Sequence, residues 1–185
     1  GLGLNIRSTR RNGPISRPNS KHSMTTYHVR TVGCQMNQSD SERLSSGLEQ
    51  MGLTRVPELL DADVMVLNTC VVRQSAEDTA TGVLGVLKRV KAEHPKRTIA
   101  VMGCMVGPRV QDLSKRFPQV DAWAQPQRFD VLLGAVGERV GVDPDGCVGS
   151  LVPAVPNVTS FVPIAHGCDK FCTFCIIPYR RGREV

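Results

Sequence analysis

Two compact apolar runs, DVMVLNT at 63–69 and RTIAVMG at 97–103, are separated by a stretch whose apolar residues recur at helical spacing. That pattern constrains the fold more than any other feature of the chain. Runs with apolar residues at nearly every position belong to strands covered on both faces. A connection this long is a helical crossover between parallel strands, not a hairpin. Shorter β-rich segments flank the pair: TYHVRTVG at 26–33, LTRV at 53–56 and VDAWA at 120–124.

Helical stripes fill the gaps between them: Leu44, Leu48 and Met51, then Val83, Leu84, Leu87 and Val90, then Val110, Leu113 and Phe117, then Phe129, Leu132, Leu133 and Val136. Ser39 and Glu42 have capping-box spacing and predict the first helix start, with Gly52 as its stop. Ser75 and Asp78 mark the second start, with Pro95 beyond its end, and Pro108 suits the first turn of the third helix. The alternation predicts an α/β domain over 25–140, a parallel sheet flanked by helices. Residues 141–157, rich in Gly and Pro, read as a linker. VTSFVPIAHG at 158–167 reads as one further strand, opening a second unit over 158–185.

Charge is unevenly spread. The chain of 185 residues has 23 basic and 17 acidic residues, a net charge of +6. Residues 1–23 hold five of those bases and no acid, so the remainder is close to neutral and bulk charge does not argue for a nucleic-acid partner. The same segment lacks the apolar core of a secretory signal and reads as a disordered basic leader ahead of a start at Met24, although its composition also fits an organelle transit peptide. No run approaches the roughly 20 apolar residues of a membrane helix. The expectation is a soluble cytoplasmic monomer.

Seven cysteines, an odd number in a chain with no export signal, point to metal ligation rather than disulfides. Cys34, Cys70 and Cys104 each follow a predicted strand and precede a predicted helix. Successive parallel strands open onto one sheet edge, where α/β proteins place ligands, so these thiols should converge. The plainer reading is three small buried hydrophobes. Asn37 and Asn68 lie near the same ends, placed to orient the loops or, as such residues more often do, simply to cap or turn the chain. Cys168, Cys172 and Cys175 form a C-x3-C-x2-C loop. Three thiolates on a cubane [4Fe–4S] cluster leave one iron open to substrate; a zinc site completed by His166 is the alternative.

The C-x3-C-x2-C loop, with Phe174 before its last cysteine, resembles the signature of radical S-adenosylmethionine enzymes. Together with GCQMNQSDSERL, VLNTCVVRQSAED, GCM and GCDKFCTFCIIPYRRGREV, it is similar to the methylthiotransferase family over residues 26–185. Val32, Met102 and Val106-Gly107 depart from the family's usual residues without touching a ligand, and Cys147 matches none. The resemblance implies two [4Fe–4S] clusters. Cys168, Cys172 and Cys175 would hold the one that binds and reductively cleaves S-adenosyl-L-methionine, and Cys34, Cys70 and Cys104 would hold an auxiliary cluster carrying the transferred sulfur.

The nearest branch methylthiolates C2 of N6-isopentenyladenosine beside the anticodon of tRNA. An aspartate of a ribosomal protein is the alternative substrate, and a non-catalytic iron–sulfur module the alternative class. The resemblance further implies an electron donor such as a flavodoxin or ferredoxin. It makes 158–185 the first strand and cluster loop of a partial barrel truncated at Val185, so that the chain alone is expected not to turn over. Arg180, Arg181 and Arg183 are tRNA-phosphate contacts, solvated loop charge, or barrel residues missing their partners.

Overall fold

The computed structural model describes residues 25–144 and 161–185. The leader at 1–23, most of the linker with Cys147, and the first residues of the 158–167 strand lie outside the described residues. Five strands form one parallel sheet: β1 (Thr26–Thr31), β2 (Thr54–Arg55), β3 (Val64–Thr69), β4 (Thr98–Gly103) and β5 (Ala122–Ala124), in the order β2-β1-β3-β4-β5. Every residue of β3 and β4 is buried, as their unbroken apolar runs require.

Alternate side chains feed two cores. Val64, Val66, Ala100 and Met102 pack on one face with Leu44 and Leu48 of α1 (Gln35–Gln50) and Leu132, Leu133 and Val136 of α4 (Phe129–Val140). Met65, Leu67, Ile99 and Val101 pack on the other with Ala80, Leu84 and Leu87 of α2 (Gln74–Glu93), while Val110 and Leu113 of α3 (Val110–Arg116) lie against its margin. The sheet is therefore doubly wound. The helices following β1 and β3 depart to opposite faces, which leaves a crevice at the carboxyl ends of those adjacent strands. Asp121 ties the opposite end together, accepting from Lys91 at 2.7 Å, Arg139 at 2.9 Å and the Ile99 amide at 2.8 Å. No helix among the described residues is long and apolar enough to cross a membrane.

Three expectations change. Helix α1 starts at Gln35 with Cys34 at its N-cap, not at Ser39. Asn37, Ser39, Asp40 and Ser41 are all buried within it, and Asn37, Asp40 and Ser41 bond in the crevice, so the polar run is not a helix start. Pro108 lies just outside α3, whose N-cap is Arg109. Residues 161–167 form no strand. Among the described residues no strand pairs with them: only His166 exchanges backbone bonds, with Val185, and Val162 and Ile164 are 78% and 95% exposed, so the continuous ladder and the burial that hold a strand are both missing. The chain turns helical again only at α5 (Ile177–Arg181).

Candidate metal centre

Strands β1, β3 and β4 are direct neighbours, and each is followed at its carboxyl end by one cysteine: Cys34, Cys70 and Cys104. Register aligns those ends, with Thr31 opposite Asn68 and Thr69 opposite Gly103. Cys70 and Cys104 are buried, and Cys34 is open to solvent.

Two glycines let the loops close this tightly. A Cβ at Gly33, whose φ is +132°, would fall 2.4 Å from Cys70 Cβ and 3.2 Å from Cys70 Sγ. A Cβ at Gly103, with φ +99°, would fall 2.4 Å from the Thr69 carbonyl oxygen and 2.5 Å from Asn68 Oδ1. Only glycine fits either position.

The two asparagines orient the loops. Asn37 Nδ2 donates to the Thr69 carbonyl at 2.8 Å, to Asn68 Oδ1 at 3.1 Å and to the Val32 carbonyl at 3.3 Å. Asn68 Nδ2 returns bonds to the Asn37 carbonyl at 2.8 Å and to Ser41 Oγ at 2.9 Å. The Cys34 thiol donates to Asn37 Oδ1 at 3.3 Å. With both asparagines fully buried and bonded to each other, this network fixes the β1 and β3 loops against each other.

The feature that sequence reasoning missed is an ion pair. Arg181, from α5, reaches into the crevice and donates through Nη2 to Asp40 Oδ2 at 2.9 Å, with side chains only 4% and 1% exposed. Burial pushes the Cys104 thiol above its ordinary pKa, against the pull of the Arg181 guanidinium, and the neighbouring Cys70 and Cys34 raise it further. Burial also opposes the charge on Arg181, yet Asp40 and Cys104 hold its pKa above the ordinary value. Nothing in the sequence hinted at it, because Asp40 lies among Gln38, Ser39, Ser41 and Glu42 in a polar stretch of α1.

Cys168, Cys172 and Cys175 lie on a loop that closes on its own tail. His166 and Val185 exchange amide–carbonyl bonds at 3.0 and 2.9 Å, the Cys168 amide donates to the Gly182 carbonyl at 3.1 Å, and the Cys175 amide to the Cys172 carbonyl at 3.0 Å. Phe171, at φ +47°, packs edge-on against Tyr179, and Arg183 covers its ring. Cys172 is exposed and its two partners half-buried. His166 Nδ1 meets the Gln127 amide at 2.5 Å, which with Arg181 docks this loop on the first domain.

Arg180 lies over Gly107, and Arg183 pairs with Asp169 at 3.0 Å. Arg180 and Arg181 thus face protein, while the Arg183 side chain stays mostly in solvent. No three His, Cys, Asp or Glu side chains among the described residues form a single-ion site. A cluster sets each thiolate on a different iron and so spaces its ligands more widely than one ion does. Three thiols on adjacent strand ends beside a buried cation are a donor set that fits such a group.

A sequence model described as "Uncharacterized protein family UPF0004" matches residues 26–125, more than half of the chain and the whole of the five-stranded sheet with Cys34, Cys70 and Cys104. The chain belongs to this family. Curated proteins similar to this UPF0004 member include one from Dehalococcoides mccartyi, 40% identical over 87% of the chain and 36% of the relative. Others come from Herpetosiphon aurantiacus, 42% identical over 85% and 36%, and from Chloroflexus aurantiacus, 43% identical over 85% and 34%. Each is named tRNA-2-methylthio-N(6)-dimethylallyladenosine synthase. The chain spans about a third of the length of these relatives.

Proposed function

We propose that these residues belong to a tRNA methylthiotransferase that replaces the C2 hydrogen of N6-isopentenyladenosine, next to the anticodon, with a methylthio group. Cys34, Cys70 and Cys104 hold the auxiliary [4Fe–4S] cluster, and Cys168, Cys172 and Cys175 hold the one that binds S-adenosyl-L-methionine. When bound, these groups supply the radical chemistry and the sulfur. The observation that carries the reading is the placement of one cysteine at the carboxyl end of each of three neighbouring parallel strands, in a chain whose curated relatives are named as tRNA-modifying synthases. Those names put tRNA ahead of a ribosomal-protein aspartate as substrate.

The protein's own residues have definable tasks. Gly33 and Gly103 let the loops approach, and Asn37 and Asn68 lock them in register. Burial of Cys70 and Cys104 keeps water from two of the ligands. The closed 166–185 loop leaves Cys172 open to solvent, free to serve a cluster that binds S-adenosyl-L-methionine. The working partners are tRNA and a one-electron donor of the flavodoxin or ferredoxin kind, with the enzyme a cytoplasmic monomer.

The test is a protein spanning the relatives' full length that carries these residues. Purified anaerobically and given S-adenosyl-L-methionine, a strong reductant and isopentenylated tRNA, it should yield nucleosides in which a methylthio group has replaced one hydrogen. Cys172→Ala should abolish that product and 5′-deoxyadenosine together. Unmodified tRNA alongside a methylthiolated ribosomal-protein aspartate would overturn the assignment.

A further inference from the structure

Arg181 does more than close an ion pair. Its Nη2 donates to Asn37 Oδ1 at 3.3 Å as well as to Asp40, and the Cys34 thiol donates to that same Asn37 oxygen. Nη1 of the same guanidinium is buried and has no hydrogen-bond partner among the described residues. A purely structural arginine at 4% exposure would be expected to spend both nitrogens on carboxylate or carbonyl oxygens, because buried donors are almost always satisfied. Here one edge is anchored by an acid, and the other is left over in the crevice where Nη2 and the Cys34 thiol share the Asn37 oxygen. The influence of Arg181 on Cys104 is consistent with that placement.

We infer that Arg181 is a positioning residue of the Cys34/Cys70/Cys104 site: Asp40 holds the guanidinium, and its unspent Nη1 edge donates to the anionic group that the three cysteines carry. The inference rests on the cluster reading proposed above. Thiolates and bridging sulfides carry negative charge, and a buried cation beside them has little water to screen it. Reduction adds one more negative charge, so the cation favours the reduced form. Hydrogen bonds to sulfur and net charge are the established levers on such potentials. Since Arg181 follows the second cysteine motif in sequence, the same contact docks one cysteine loop onto the site built by the other.

The test uses the 185-residue chain with Cys168, Cys172 and Cys175 replaced by alanine, reconstituted anaerobically with iron and sulfide. Dithionite supplies one electron per cluster while electron paramagnetic resonance follows the reduced form, and a chelator reports iron release. Relative to Arg181, Arg181→Gln should make reduction about tenfold less favourable, about 59 mV for one electron, and should hasten iron release. Arg181→Lys keeps the charge but not the two-edged reach. It should retain most of the potential and still release iron faster.

If the parent chain holds no iron, the cluster reading fails and this inference with it. If the parent holds a cluster and Arg181→Gln matches its potential and release rate, the arginine is only a tie to Asp40 and the inference is overturned. Circular dichroism checks that each variant folds. Should the glutamine variant not fold, iron release from Arg181→Lys at the parent's rate overturns the inference equally.

Discussion

Gly103→Ala should lower the stability of the first domain by about 2–6 kcal/mol, read as a drop in urea midpoint with an unchanged slope. Two effects add. The position has φ +99°, a conformation that side-chain-bearing residues avoid at a cost of about 1–3 kcal/mol. The new methyl would also sit 2.4 Å from the Thr69 oxygen and 2.8 Å from its nitrogen, and forced overpacking costs about 1–3 kcal/mol. Those are backbone atoms of a strand buried along its whole length, so they cannot swing aside as a side-chain tip would. The displacement must pass to Asn68 and to the adjacent Cys104, so metal uptake should fall with stability. An unchanged midpoint would mean that the β3 and β4 ends are far less rigid than their register implies.

Asp40→Ala should have an effect of similar size but in a different place. Removing one partner of a buried ion pair typically costs about 3–5 kcal/mol, because the other charge is left in a dry site. Arg181 has an escape that a core residue lacks, since the tail that carries it can undock and return the guanidinium to water. The loss should therefore appear as local release of residues 161–185 with the sheet intact. Amide exchange should show protection at 177–185 falling by about a hundredfold or more, with β3 and β4 unaffected. Asp40→Asn keeps the shape but not the charge and should fall between the two. Global unfolding by Asp40→Ala, or no change at the tail, would contradict the pairing described at 2.9 Å.

The sheet was legible in the sequence because β3 and β4 are apolar at nearly every position and the helices between strands keep their stripes. The three strand-end cysteines were legible for a related reason: parallel connections return every strand's carboxyl end to the same edge, so position in sequence implied position in space. The start of α1 was not. Ser39 and Glu42 satisfy the spacing rule for a cap, but the rule does not see burial, and Asn37, Asp40 and Ser41 are polar because they make buried bonds in the crevice. Residues 161–167 misled for the opposite reason, since alternating apolar character predicts a strand only where a neighbour exists to pair with it. The Arg181–Asp40 pair links positions far apart in sequence. Nothing in local pattern or composition distinguishes Arg181 from Arg180 or Arg183, and only the packing of the tail does.

The most direct measurement is iron and sulfide per chain after anaerobic preparation, for the 185-residue protein and two triple variants. Replacing Cys34, Cys70 and Cys104 with alanine should remove one cluster's worth, about four irons and four sulfides, and leave the rest on Cys168, Cys172 and Cys175. Replacing the second set should do the converse and leave a cluster held by the sheet edge alone. Iron content unaffected by loss of Cys34, Cys70 and Cys104 would contradict the account, because those thiols would then be buried side chains that happen to share an edge.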